Sequence, residues 1–228
     1  MDSSTVTGTF GNGPTKRKAL LTRPLRVKGM KTVAILVFDD VEELDFVGPL
    51  EVFGATGRLH PGTIHPLTFS LEGGTIKARY GLTVKPDHSL QDLPDYDILL
   101  VPGGRGALKV LEEPAIIRFI KEDAEKRELV TSVCTGALVL ATAGLLKGKK
   151  ATTHWASLDE LGKYPGVTVI RDKRFVHDGK IVTSAGISAG IDMALYLVER
   201  YFGTEISREV AHRMEYHPSP MAKPVISV

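Results

Sequence analysis

The chain has 228 residues, of which 43% are hydrophobic and 25% charged, with a formal net charge of +2 at pH 7. That is ordinary for a soluble globular protein with one large domain or two small ones. Its single cysteine excludes an internal disulfide, so the fold does not depend on an oxidising compartment. The charge is uneven: residues 1–31 hold seven Lys or Arg against one Asp, and the remainder is slightly acidic.

The opening stretch "MDSSTVTGTFGNGPTKRKALLTRPLRVKG" contains Gly, Pro, Ser and Thr without apolar periodicity. It predicts a flexible basic extension over residues 1–30, lacking the apolar core of a secretory signal. Organelle targeting or polyanion binding are the other readings of an acid-poor, Arg-containing tail. "MKTVAILVF", from Met30, then opens the folded part, with a buried strand at Val33 to Phe38. Helix-spaced apolar residues follow from Leu44 to Phe53. Residues 64–71 and 76–86 read as two further strands around "EGG", the second folding back near Gly81. "DYDILLVPGG" is a strand ending at Pro102-Gly103-Gly104, and an amphipathic helix follows from Pro114 to Arg127.

"LVTSVCTGALVLATAGLL" runs 18 positions without a charge, about the minimum for one membrane-crossing helix. Its β-branched residues cluster in Leu129 to Val133, however, and helix formers begin at Ala137. A buried strand, a tight turn and a buried helix fit better, which places Cys134 on the turn. A short strand at Lys150 to Thr153 and a helix near Trp155 come next. "RFVHDGKIVTS" is a hairpin about Asp178-Gly179. "SAGISAGIDMALYLVERYF" enters a long helix through a glycine-rich loop, and a last helix spans about Glu205 to Met214. Strands alternating with helices predict one domain over residues 31–228, a mainly parallel sheet covered on both faces.

In such a fold the loops leaving the C-terminal strand ends share one crevice. "FDDVEELDFVGP", "VPGGRG" and "SVCTGA" are three such loops. A lone cysteine is commonly a buried structural residue. At a strand-to-helix elbow its side chain is instead pushed out of the sheet, and a helix beginning at Thr135 favours the thiolate. Of the first loop's carboxylates, Asp39, Asp40, Glu42 and Glu43 read as a solvated face. Asp45 is either a helix N-cap or a desolvated carboxyl facing the cysteine and holding a proton near neutral pH. Gly103 and Gly104 either end a strand or join the Thr135 N–H in binding a developing negative charge. His154 either packs or lines the crevice. His212, Glu215 and His217 read as surface residues rather than a metal site.

"SVCTGALVLATAGLLKGKKATTHWA", "LDFVGPLEVF", "LLVPGG" and "SAGISAGIDMALYLVE" together resemble the ThiJ/PfpI branch of the class I glutamine amidotransferase-like superfamily, over about residues 31–218. Within that branch the chain is most similar to the isonitrile hydratases. The resemblance implies a flavodoxin-like three-layer α/β/α sandwich and a cytoplasmic homodimer acting on a small molecule. It implies no metal, organic cofactor, nucleic acid or membrane. The family nucleophile matches Cys134, its neighbouring hydroxyl Thr135, its acidic partner Asp45, and its oxyanion-binding amides Gly104 and Thr135. Protease-like members carry histidine where this chain has Thr135. Glutamine amidotransferases use a late His-x-Glu, where Glu215-Tyr216-His217 stands in reverse order. Related transcription regulators append a helix-turn-helix domain, for which this chain ends too soon. The implied activity is hydration of an isonitrile to an N-substituted formamide through a cysteine thioimidate. Glyoxalase or deglycase chemistry on small aldehydes is the enzymatic alternative, and redox sensing or ligand binding without turnover the non-enzymatic one.

Overall fold

The computed structural model describes residues 29–219 and 225–227. The expectations for residues 1–28 lie outside them. Nearly continuous apolar sequence marks a strand covered on both faces, and "KTVAIL" forms such a strand, β1 (Lys31–Leu36). It leads into α1 (Glu43–Leu59), β2 (Ile64–Ser70), the pair β3 (Ile76–Lys77) and β4 (Thr83–Val84), and β5 (His88–Ser89). Next come β6 (Ile98–Val101), α2 (Ala107–Leu111), α3 (Pro114–Asp123), β7 (Leu129–Val133) and α4 (Gly136–Thr142). Then follow β8 (Lys150–Ala151), α5 (Leu158–Leu161), β9 (Thr168–Val169) and the hairpin β10 (Phe175–Asp178) and β11 (Ile181–Ser184). The chain continues through α6 (Ala189–Phe202), α7 (Thr204–Arg213) and β12 (Val225–Ser227).

Eight strands form one sheet in the order β12-β10-β11-β7-β6-β1-β2-β5. The neighbours from β11 to β5 all pair in parallel. Within this sheet, among the described residues, only the β10–β11 hairpin is antiparallel, turning at Asp178-Gly179 as expected. Alternation along β1 divides the core. Val33 and Ile35 face a cluster with Val52, Phe53, Met193 and Leu197, whereas Ala34 and Leu36 face Leu99, Ile120 and Leu140. The result is a mostly parallel central sheet between helices, the flavodoxin-like α/β sandwich expected. Truncating a fully buried residue such as Ile35 or Leu100 to alanine should cost about 2–5 kcal/mol.

The uncharged run divides as expected: β7, then Cys134, then α4, closed by Gly144 at φ 81°. Among the described residues no helix is long and apolar enough to cross a membrane. Other boundaries moved. The first helix does not stop near Phe53 but runs to Leu59, packed on α6 and α7. The charged helix ends at Asp123 and continues as a 3-10 turn, Ala124–Lys126. The short strands β5, β9 and β12 and the helix α2 had no forecast.

Candidate active site

Four strand ends converge on one crevice: the loops after β1, β6 and β7 and the turn after β11. Cys134 sits at φ 56°, a left-handed backbone that costs a non-glycine residue about 1–3 kcal/mol and persists only where surroundings enforce it. Those surroundings are visible. Its N–H donates to Ser184 O at 3.1 Å, and its carbonyl accepts from Thr153 Oγ1 at 2.6 Å. The elbow is therefore tied to β11 on one side and to the segment after β8 on the other.

Asp45 is fully buried in the first turn of α1, and it is not the cap. Glu42 occupies the N-cap position without a side-chain cap bond. The Asp45 side chain turns away from its own helix, and its Oδ2 accepts from the Gly103 N–H at 3.0 Å. Oδ1 is buried with no fully formed hydrogen bond, and the carboxyl interacts with the Cys134 side chain. The capping alternative for Asp45 is thereby removed.

Burial raises the Asp45 carboxyl from 3.8 to about 7, against the Gly103 N–H and Cys134, which lower it; nearby Glu42 raises it further. Burial and the Asp45 charge push the Cys134 thiol from 9.0 up to about 12. The Thr135 backbone N–H and hydroxyl act in the opposite direction and are outweighed. The helix N-terminus at Thr135 thus favours the thiolate in the direction expected, but desolvation and a neighbouring carboxyl outweigh the first amide of a short helix. The pair resists carrying two negative charges, so across the neutral range it retains at least one proton.

Thr135 Oγ1 accepts from the Gly104 N–H at 3.0 Å and lies 3.2 Å from Gly104 O as its donor. The two glycine amides expected to face a developing charge are thus both occupied: Gly103 serves Asp45 and Gly104 serves Thr135. His154 is half-buried, and its Nδ1 accepts from Ala156 N–H at 3.3 Å, capping the short turn Trp155–Ser157. Cys134, Thr135, Gly104 and His154 line one cleft of about 390 Å³, with Leu108, Leu138 and Ile187 supplying apolar wall.

Glu42 was expected on a solvated face with Asp39, Asp40 and Glu43. Instead it is 6% exposed, lines the same cleft, and its Oε2 lies 3.5 Å from Arg79 Nη1. The β3–β4 hairpin brings Arg79 there, and the Arg79 N–H donates to Val41 O at 3.0 Å. Gly186 was also missed. A Cβ at Gly186 would lie 2.5 Å from His154 Cδ2 and 2.9 Å from Cys134 Sγ; the repeated small residues of "SAGISAG" were its signal. Gly186→Ala should keep the fold but displace the sulfur or the imidazole, and the alkylation rate of Cys134 reports it. A rate and turnover equal to the parent's would show that the cleft tolerates the methyl group. Among the described residues, no group of three or more His, Cys, Asp or Glu is placed to hold a metal.

A strained cysteine elbow facing a buried acid fits the residues that suggested a family. The model of the DJ-1/PfpI family matches residues 31–200. The chain belongs to the DJ-1/PfpI family. Isonitrile hydratase from Pseudomonas putida is 39% identical over 188 residues, which cover 82% of this DJ-1/PfpI protein and 79% of the relative. Protein DJ-1alpha of Drosophila melanogaster is 29% identical over 226 residues, covering 95% of this chain and 99% of that one. The crystal structure of a ThiJ/PfpI family protein from Pseudomonas syringae superposes with a TM-score of 0.77 at 29% identity, over 93% of this chain and 84% of that one.

Proposed function

We propose that this DJ-1/PfpI protein hydrates an isonitrile, R–NC, to an N-substituted formamide. The observation that carries the reading is the buried pair of Cys134, fixed at its elbow, and Asp45, poised at about 7. Similarity to isonitrile hydratase supports it. A carboxyl poised near neutrality both takes and gives a proton efficiently. As sulfur bonds to the terminal carbon, Asp45 accepts the thiol proton and delivers a proton to that carbon, giving the thioimidate R–N=CH–S–Cys134. Water then adds to the same carbon. Collapse of the adduct breaks the C–S bond, releases R–NH–CHO and returns the thiol. Covalent catalysis divides one difficult hydration into two easier steps. The Thr135 hydroxyl holds the glycine loop against the elbow, keeping the sulfur aimed at the cleft.

Stoichiometric oxidation of Cys134 by peroxide, with turnover of neither isonitrile nor aldehyde, would favour redox sensing instead. Aldehyde chemistry is separated by assay. Alkyl and aryl isonitriles should yield formamide, with methylglyoxal turned over poorly beside them. Turnover of methylglyoxal with none of the isonitriles would reverse the assignment.

Homodimerisation is part of the same proposal. Tyr80 is 75% exposed, Leu108 55% and Trp155 78%; Tyr80 and Leu108 line the cleft, and Trp155 follows His154. Large apolar side chains gathered at one mouth suit an interface. Light scattering on the full chain at micromolar concentration should give twice the chain mass, and a monomer would contradict the proposal.

A further inference from the structure

Hydrolysis of a thioimidate needs a group that takes a proton from the attacking water. Asp45 is engaged on the sulfur side: it is fully buried, its Oδ2 is held by Gly103, and its carboxyl interacts with the Cys134 side chain. His154 lines the cleft, but its Nδ1 already accepts from the Ala156 N–H. In a neutral ring the proton then sits on Nε2, so neither ring nitrogen is free to take another. Glu160 is exposed and paired with Lys163. Arg79 and Arg105 are cations.

Glu42 remains. Its side chain is 8% exposed, and it shares the cleft wall with Cys134 and Thr135. Its backbone N–H donates to Gly103 O at 3.0 Å, so the residue is tied to the same loop that holds Asp45. The only side-chain partner of its carboxylate among the described residues is Arg79, at 3.5 Å through one oxygen. A carboxylate with one oxygen paired keeps lone pairs free to accept from water.

We propose that Glu42 activates the water that hydrolyses the Cys134 thioimidate, an assignment that rests on the isonitrile reading. The water oxygen bonds to the thioimidate carbon while Glu42 takes a water proton. Glu42 returns that proton to the imine nitrogen, giving R–NH–CH(OH)–S–Cys134. The C–S electrons then leave with sulfur, and the hydroxyl proton passes to it as the formyl C=O forms. No oxidant or co-reactant enters. The two carboxyls thereby divide the reaction: Asp45 serves C–S formation and Glu42 serves C–O formation.

The test mixes the full chain with benzyl isocyanide, quenches rapidly in acid, and follows intact mass together with formamide. Glu42→Gln should lower formamide turnover by about 10²–10⁴-fold, the usual contribution of a general base. One isonitrile per chain should accumulate on Cys134 at nearly the parent rate. Glu42→Asp, retaining a carboxylate on a shorter arm, should recover part of the turnover. His154→Gln should not accumulate the adduct. Unchanged turnover in Glu42→Gln, or adduct formation slowed in step with turnover, overturns the proposal. So does equal loss in both Glu42 variants with a lowered melting temperature, which would make the role structural. If the parent itself forms neither adduct nor formamide, the isonitrile reading has failed and this proposal falls with it.

Discussion

Cys134→Ala should abolish formamide formation while leaving the fold in place. Alanine meets about the same backbone strain at φ 56°, and the elbow is fixed through the residue's backbone, its N–H donating to Ser184 O and its carbonyl accepting from Thr153 Oγ1. Only the sulfur is lost. Removing a nucleophile from a set that acts as a unit typically costs several orders of magnitude, and at least about 10⁴ in kcat is expected here. Circular dichroism checks the fold and product analysis the activity. Substantial turnover by a folded variant would exclude covalent catalysis through Cys134.

Asp45→Asn should make the protein slower and, at alkaline pH, more stable. The Asp45 carboxyl titrates at about 7 in the folded chain against an ordinary 3.8. Below the lower value both folded and unfolded chains hold the proton. Between the two values only the folded chain holds it, so stability falls as pH rises, by about 1.4 kcal/mol per pH unit over that window. The burial penalty is therefore largest above neutrality, on the order of 4 kcal/mol. Asparagine can still accept from the Gly103 N–H but does not ionise. At pH 8 the variant should melt several degrees above the parent, and at pH 4 the two should nearly coincide. Proton delivery is lost, so turnover should fall by at least about 10². Because the Asp45 charge raises the Cys134 thiol, alkylation by iodoacetamide at pH 8 should also become faster. Parent-like turnover and coincident melting at pH 8 would leave Asp45 with no part in proton transfer.

The parts of this site that were legible in sequence are those set by local pattern. β-branched residues up to Val133 and helix formers from Ala137 located the elbow and hence Cys134. Asp45 drew attention as a carboxyl between Leu44 and Phe46, but its role turned on a partner 58 residues away, Gly103, which no local signal names. Glu42 was hidden for the same reason. In a run of acidic residues it looks solvated, and its burial follows from tertiary approach: a Cβ on Gly104 would stand 2.3 Å from Glu42 N. The thiolate expectation weighed a helix end without the desolvation and neighbouring charge that oppose it. In the fold, the strongly periodic elements and the hairpin were readable. Strands of two or three residues such as β5, β9 and β12 carry too few side chains to show a period. The first helix outran its forecast past Gly54 because packing on α6 overrides glycine's low propensity.

The most direct test of Cys134 as a nucleophile working with Asp45 is the mass of the chain during turnover. Acid quenching within the first catalytic cycle, followed by peptide mapping, should place the mass of one isonitrile on the Cys134 peptide. The signal should be absent in Cys134→Ala and should form at least about 10²-fold more slowly in Asp45→Asn. Formamide released steadily by the parent with no adduct at any time, and with Cys134→Ala still active, would contradict the mechanism outright.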